Sequence, residues 1–165
     1  METSVYHAYV NSPLGMICIG ANENAIEHIS FCEENIKKEH NESSLTKDAV
    51  KQLIAYFDKR LKQFELPLEM RGTPFQHKVW TALQQIGYGK TISYLDLAKR
   101  MGDVKCIRAA GSANGKNPFA IVVPCHRVIG KNGSLVGYAG GLHRKQWLLN
   151  FEQNTILMFN ENKFS

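Results

Sequence analysis

No apolar run in the 165-residue chain approaches the roughly 20 residues that a membrane-spanning helix needs. The opening METSVYHAYVNSPLG lacks a basic segment followed by an apolar core, so no secretory signal is expected. Cysteine is sparse: Cys18, Cys32, Cys106 and Cys125 lie far apart, with no C-x-x-C pair. Together with the missing signal, that predicts a cytosolic protein with free thiols. Acids are the most unevenly distributed residue type. Between Arg71 and Lys145 the only carboxylates are Asp96 and Asp103, against about a dozen Lys and Arg. The net charge of +5 is therefore concentrated in one half, which points to a phosphate-bearing partner for that half.

The composition is that of a globular protein, 44% hydrophobic and 21% charged. The first part reads as strands, VYHAYV, MICIGA and AIEHISF, with NSPLG and NEN as turn chemistry. Leu45, Ala49, Leu53, Tyr56, Phe57 and Leu61 recur at helical spacing, predicting a helix over Leu45–Phe64 that Pro67 closes off. ELPLEMRG is the expected linker, which divides the chain into an N-terminal domain over residues 1–70 and a C-terminal one over 71–165. Beyond it helices take over. Thr73-Pro74 caps FQHKVWTALQQI, Ser93 caps YLDLAKRM, and Asp103 caps VKCIRAAGSANG. The second and third of these, separated by a Gly-containing turn, have a helix-turn-helix pattern. NPFAIVVPCHRVIG then reads as an apolar strand, KNGSLVGYAGG as a glycine-rich loop with an Asn-Gly turn, and HRKQWLLNFEQ as the last helix.

PCHRV carries the chemistry. Two readings of Cys125 stand at this point: one more small core residue, or a nucleophile. A free thiol with a pKa of about 8.5 reacts at neutral pH only if a base or cation assists it. His126 adjoins it, but neighbours in a strand face opposite ways, so either a turn or a bridging water must bring the two together. A histidine base also needs an orienting carboxylate. Glu152, the first acid after Asp103, is the candidate.

PCHRV, preceded by ANGKNP and followed by GYAGGLHRKQWLL, resembles the active-site region of the 6-O-alkylguanine-DNA alkyltransferases, the methylated-DNA–protein-cysteine methyltransferases. The likeness extends back through TPFQHKVWTALQQIGYGKTISY and RAAGSANG, and SPLG fits the family's N-terminal domain. The resemblance implies a small α/β domain, sheet plus helix and ribonuclease H-like, followed by a mainly helical, winged helix-turn-helix-like domain. It implies that Cys125 accepts the alkyl group in a single turnover without cofactor or metal. His126 would act as base through a water, Glu152 would hold His126, and Tyr94 would donate a proton toward the leaving base. Arg108 would fill the stack vacated by a flipped nucleotide. Ala109, Ala110 and Asn114 would lie with it on a helix that enters the minor groove of double-stranded DNA. Asn117 would be a hinge, Tyr138 would line the alkyl pocket, and backbone groups of Cys125, Val128 and Ala139 would read the base. A monomer acting on alkylated guanine, and on thymine alkylated at its analogous oxygen, is expected. The rival readings are a cysteine hydrolase and a helix-turn-helix protein that binds alkylated DNA without reacting. This chain has FEQ where many members have HEG, with the glutamate retained. His7, His28, His40, Cys18 and Cys32 form no recognisable metal-binding spacing.

Overall fold

The computed structural model describes residues 4–154, and the chain divides into two compact units. Residues up to Met70, together with Pro118–Val122, form the first; Arg71–Asn117 and the chain from Val123 onward form the second. Among the described residues no helix is long and apolar enough to cross a membrane.

The first unit is an antiparallel meander, β1 (Tyr6–Ser12), β2 (Gly15–Ala21) and β3 (Ile26–Cys32), covered by helix α1 (Ser44–Phe57). Ser12 pairs with Gly15, so Pro13-Leu14 is a two-residue turn. The Ser12 hydroxyl donates to Gly15 O (2.7 Å) and accepts from Leu14 N (3.1 Å), and Gly15 takes the positive φ of 106° that closes the turn. Ser43 and Thr46 make a reciprocal capping box at the start of α1. Thr46, Ala49, Leu53 and Tyr56 are its buried face.

This helix ends at Phe57 instead of reaching Phe64, because Lys59 turns left-handed (φ 62°). Phe64 nevertheless returns to pack on Tyr56, with ring centroids 5.5 Å apart. The apolar stripe thus continued past the end of the helix.

The expectation of free thiols is also corrected. Cys18 and Cys32 are joined by a disulfide, which leaves Cys106 and Cys125 as the free cysteines among the described residues. Met16 faces Cys32 and Cys18 faces Ser30 in the β2–β3 register, so the two cysteines sit diagonally on one face. Their Cα atoms are 6.1 Å apart, within the span a disulfide bridges.

The second unit contains α2 (Pro74–Leu83), β4 (Ile92–Ser93), α3 (Tyr94–Arg100), α4 (Ile107–Gly115), β5 (Val128–Ile129) and α5 (Leu142–Gln153). Thr73 and Ser93 each complete a capping box, and Pro74 occupies the first turn of α2. Asp103 caps a 3-10 turn, Val104–Cys106, rather than α4 itself, which begins after it. Trp80, Leu83, Leu97, Ala98, Ala110, Val128 and Leu148 make the core. The buried Trp80 indole donates to Ala113 O (2.9 Å), tying α2 to α4. β4 and β5 are a short parallel pair, Ile92 on Val128 and Ser93 on Ile129.

Candidate active site

The segment before Cys125 is not the strand its apolar run suggested. Phe119 bridges Ile29 alongside β3, and then the chain makes two tight turns. Val122 N donates to Ala120 O (2.7 Å) around Ile121, whose φ is 70°. That is the rare and strained sense of a three-residue turn, worth about 1–3 kcal/mol of strain at a β-branched residue. Cys125 N donates to Val123 O (2.8 Å) around Pro124, whose φ of −82° and ψ of 63° give the common sense. Asn117 Nδ2 donates to Val123 O (2.7 Å) and so links the end of α4 to the approach to the cysteine.

Cys125 opens a 3-10 turn, Cys125–Arg127, and all three residues are buried. Burial raises the thiol's pKa, and the Asn117 side chain and Lys145 ammonium oppose that only partly. The resting group is a thiol, not a standing thiolate. His126 Nε2 lies 2.8 Å from Glu152 Oε2. Burial pushes the Glu152 carboxyl up, but the hydrogen bonds from His126 and Arg127, together with the Arg127 charge, outweigh it and leave the group well below the usual carboxylate range. Burial also lowers the His126 pKa, against the pull of Glu152, so the imidazole is neutral. A neutral ring donating from Nε2 to a carboxylate carries its lone pair on Nδ1. That Nδ1 is buried and has no partner among the described residues.

Arg127, whose role the sequence did not disclose, is the clamp on this arrangement. Its Nε donates to Glu152 Oε1 (2.7 Å), Nη2 to Oε2 (2.9 Å) and Nη1 to Ile86 O (2.6 Å). Such a two-toothed pairing fixes the carboxylate in orientation as well as position.

Lys145 is a second functional candidate that sequence reasoning missed. It is 0% exposed, and Nζ donates to Val128 O (2.6 Å), Val136 O (3.1 Å) and Gly137 O (3.3 Å). Burial lowers its pKa to about 8, with Cys125 acting in the opposite sense. The signal was present: Lys145 falls on the α5 face that buries Leu148, Leu149 and Glu152.

Tyr94, first residue of α3, donates its hydroxyl to Val136 O (2.9 Å). Its ring lies against α4, where a Cβ on Gly111 would stand 3.6 Å from Cδ1. Burial, then Cys125, raises the phenol pKa, so Tyr94 stays a proton donor. The Tyr138 hydroxyl is buried without a partner among the described residues, and burial holds its pKa well above the ordinary value.

α4 has two faces. Arg108, Ala109 and Ser112 are exposed, whereas Ala110, Ala113 and Asn114 are buried. Ala110 is 0% exposed, so it backs the outward face instead of joining it. Asn114 likewise turns inward and sends Nδ2 toward Cys125 O (3.4 Å). Ala139 is exposed on the loop after β5. Among the described residues no group of three or more His, Cys, Asp and Glu is placed to hold a metal ion.

A buried cysteine followed by a carboxylate-oriented histidine, on a domain with a helix-turn-helix pair, fits the class of thiol-dependent proteins that act on nucleic acid. Comparison with known proteins narrows the class. Residues 74–154 match the DNA-binding domain of 6-O-methylguanine DNA methyltransferase, and residues 5–70 its ribonuclease-like domain. The methylated-DNA–protein-cysteine methyltransferase of Methanosarcina acetivorans is 44% identical over 153 residues, 90% of this chain and 98% of that protein. The constitutive Bacillus subtilis enzyme of the same name is 43% identical over 157 residues, covering 90% and 95%. Among solved structures, Mycobacterium tuberculosis OGT in complex with DNA superposes with a TM-score of 0.82 at 40% identity, over 91% of this chain and 94% of that one. The chain belongs to the methylated-DNA–protein-cysteine methyltransferase family.

Proposed function

We propose that this protein repairs alkylated DNA by moving the alkyl group of 6-O-alkylguanine, and of 4-O-alkylthymine, onto Cys125 Sγ, once per molecule. The carrying observation is the orientation of His126, the residue after Cys125: Nε2 is committed to Glu152, which leaves the buried Nδ1 to serve as the base. The thiol proton passes through one water to Nδ1, the sulfur–carbon bond forms, and the bond from carbon to the base oxygen breaks. Tyr94 supplies a proton to the departing ring, so guanine leaves neutral. His126 is then an imidazolium and Tyr94 a phenolate; proton exchange through solvent resets both, so the net change is one hydrogen from sulfur to guanine and the alkyl group from oxygen to sulfur. No group in the site can split the resulting thioether, so the reaction stops there.

The alkylated oxygen lies inside the duplex, and reaching it requires rotating the nucleotide out at a cost of a few kcal/mol. The small exposed residues of α4 suit a close approach to the minor groove, where the degenerate edge pattern allows scanning regardless of sequence. Arg108, at the exposed start of α4, fills the gap in the stack. Backbone groups of Cys125, Val128 and Ala139 read the flipped base, and Tyr138 lines the alkyl pocket. Because Val128 O already accepts from Lys145, only its remaining lone pair is available for this. The protein acts as a cytoplasmic monomer.

Intact and peptide mass after mixing with excess duplex bearing one 6-O-methylguanine tests this reading. One added methylene per chain, confined to the peptide with Cys125, is the expected result. Binding without added mass would move the protein to recognition alone, and repeated turnover on an acyl substrate would make it a hydrolase.

A further inference from the structure

The turn after α2 meets the Arg127–Glu152 pair, and the reaction scheme gives it no part. Within residues 86–90, Lys90 N donates to Gly87 O (3.0 Å) and so folds the chain back. Three residues of this turn reach the pair, each with a different group. Ile86 O accepts from Arg127 Nη1 (2.6 Å). Gly89 N donates to Glu152 Oε1 (3.4 Å). Arg127 Cζ lies over the Tyr88 ring, 5.8 Å from its centroid.

The close approach is built into the backbone. Gly89 takes a φ of 75°, and a Cβ on it would stand 3.2 Å from Glu152 O. Of the three contacts, Tyr88 alone uses a side chain. Tyr88 is half-buried, whereas the side chains of Arg127 and Glu152 are 7% and 1% exposed. An aromatic residue suits that place. The guanidinium already spends Nε, Nη1 and Nη2 on Glu152 and Ile86, and a ring attracts the cation without competing for those donors. Burial, and then the Glu152 charge, raise the Tyr88 phenol pKa, so the hydroxyl brings no second negative charge to the carboxylate.

We propose that Tyr88 is a positioning residue for alkyl transfer: its ring holds Arg127 and keeps water from it, so that Glu152 stays locked on His126. This rests on the function proposed above. His126 has to be neutral to take the thiol proton. Burial is the main cause of its lowered pKa; Glu152 of α5 opposes that, and Arg127 and Lys145, the other charges acting on the imidazole, add to it. Removing the ring admits water and loosens Arg127, so burial counts for less and the Glu152 charge for more. Both changes push the His126 pKa up. The base is then protonated over more of the acid range, and the acid limb of the transfer rate moves to higher pH.

The test is the pH profile of single-turnover transfer from duplex bearing 6-O-methylguanine, for the parent, Tyr88→Ala, Tyr88→Leu and Tyr88→Phe. The Ala and Leu variants should move the acid limb up by about half a pH unit or more, a fraction of what full burial does to a histidine. At saturating duplex and neutral pH, Tyr88→Ala should be about tenfold slower, part of what an oriented base contributes, with the half-saturating DNA concentration unchanged. Tyr88→Phe keeps the ring and should restore both the rate and the limb. Each rate is normalised to the methyl taken up at the end point, so misfolded protein drops out, and Leu keeps apolar bulk where Ala fails to fold. An unmoved limb in the Ala and Leu variants, with slowing alike at every pH, would overturn the assignment and leave Tyr88 a packing residue. A Phe variant that behaves like Ala would overturn it as well. A parent that puts no methyl on Cys125 would instead refute the proposed function, and this role with it.

Discussion

Glu152 accepts from His126 Nε2 and from two nitrogens of Arg127, so a single carboxylate both sets the imidazole tautomer and neutralises a buried guanidinium. Removing a charge from a buried pair costs about 3–5 kcal/mol, because the other charge is left alone. Glu152→Gln should therefore lower Tm markedly and slow transfer about a hundredfold, the lower range for losing an oriented base; thermal unfolding and single-turnover kinetics on one preparation check both. Lys145 gives a pH signature. Its folded pKa, about 8, lies below the ordinary 10.5, so between those values the unfolded chain holds more protons. Stability from this group consequently rises with pH across that window, and Lys145→Met should flatten the rise in denaturant titrations. The same variant strips a donor from three carbonyls and should be less stable than the parent at neutral pH. The sequence disclosed Cys125, His126 and Glu152, because their chemistry needs those residue types. It hid Arg127 and Lys145, because a cation next to a motif looks the same whether it meets solvent or a buried acceptor.

Helix α4 shows how far element-scale reading reaches. The resemblance implied that its small residues enter a groove; of these, Ala109 and Ser112 lie on the exposed face. Ala110 is equally small for the opposite reason: it is fully buried on the inward face. Arg108→Ala should slow transfer from duplex about tenfold, through loss of roughly 1.4 kcal/mol of support for the flipped state, and slow transfer from single-stranded DNA less. Rates on the two substrates check this. The Asn-Gly turn was legible, since Asn132 and Gly133 both take positive φ. The end of α1 was not, because Phe64 packs on Tyr56 from outside the helix. Nor was the turn at Ile121, where a β-branched residue takes a conformation its type argues against.

On the scale of the whole chain, the three strands, the helix that follows them and the helical second part were readable from alternation, spacing and caps. The Cys18–Cys32 bond was not, because compartment arguments say nothing about which strands lie side by side. A loop of this length predicts about 3 kcal/mol of stabilisation. Protein prepared without reductant should be two hydrogens lighter than the reduced chain and should lose Tm on reduction, a loss that Cys18→Ser removes; mass and thermal melts decide. The last consequence concerns exchange of parts. Pro118–Val122 belongs to the sheet unit, where Ala120 N donates to Ile29 O (2.9 Å) and Ile29 N to Pro118 O (2.9 Å), although these residues lie just before the nucleophile in sequence. The halves are therefore not cassettes. A chimera joined at residue 70 carries into its new host a short piece of the old sheet. The host must offer an edge that fits it, so successful recombination among relatives is confined to first halves that share the Ile29 edge.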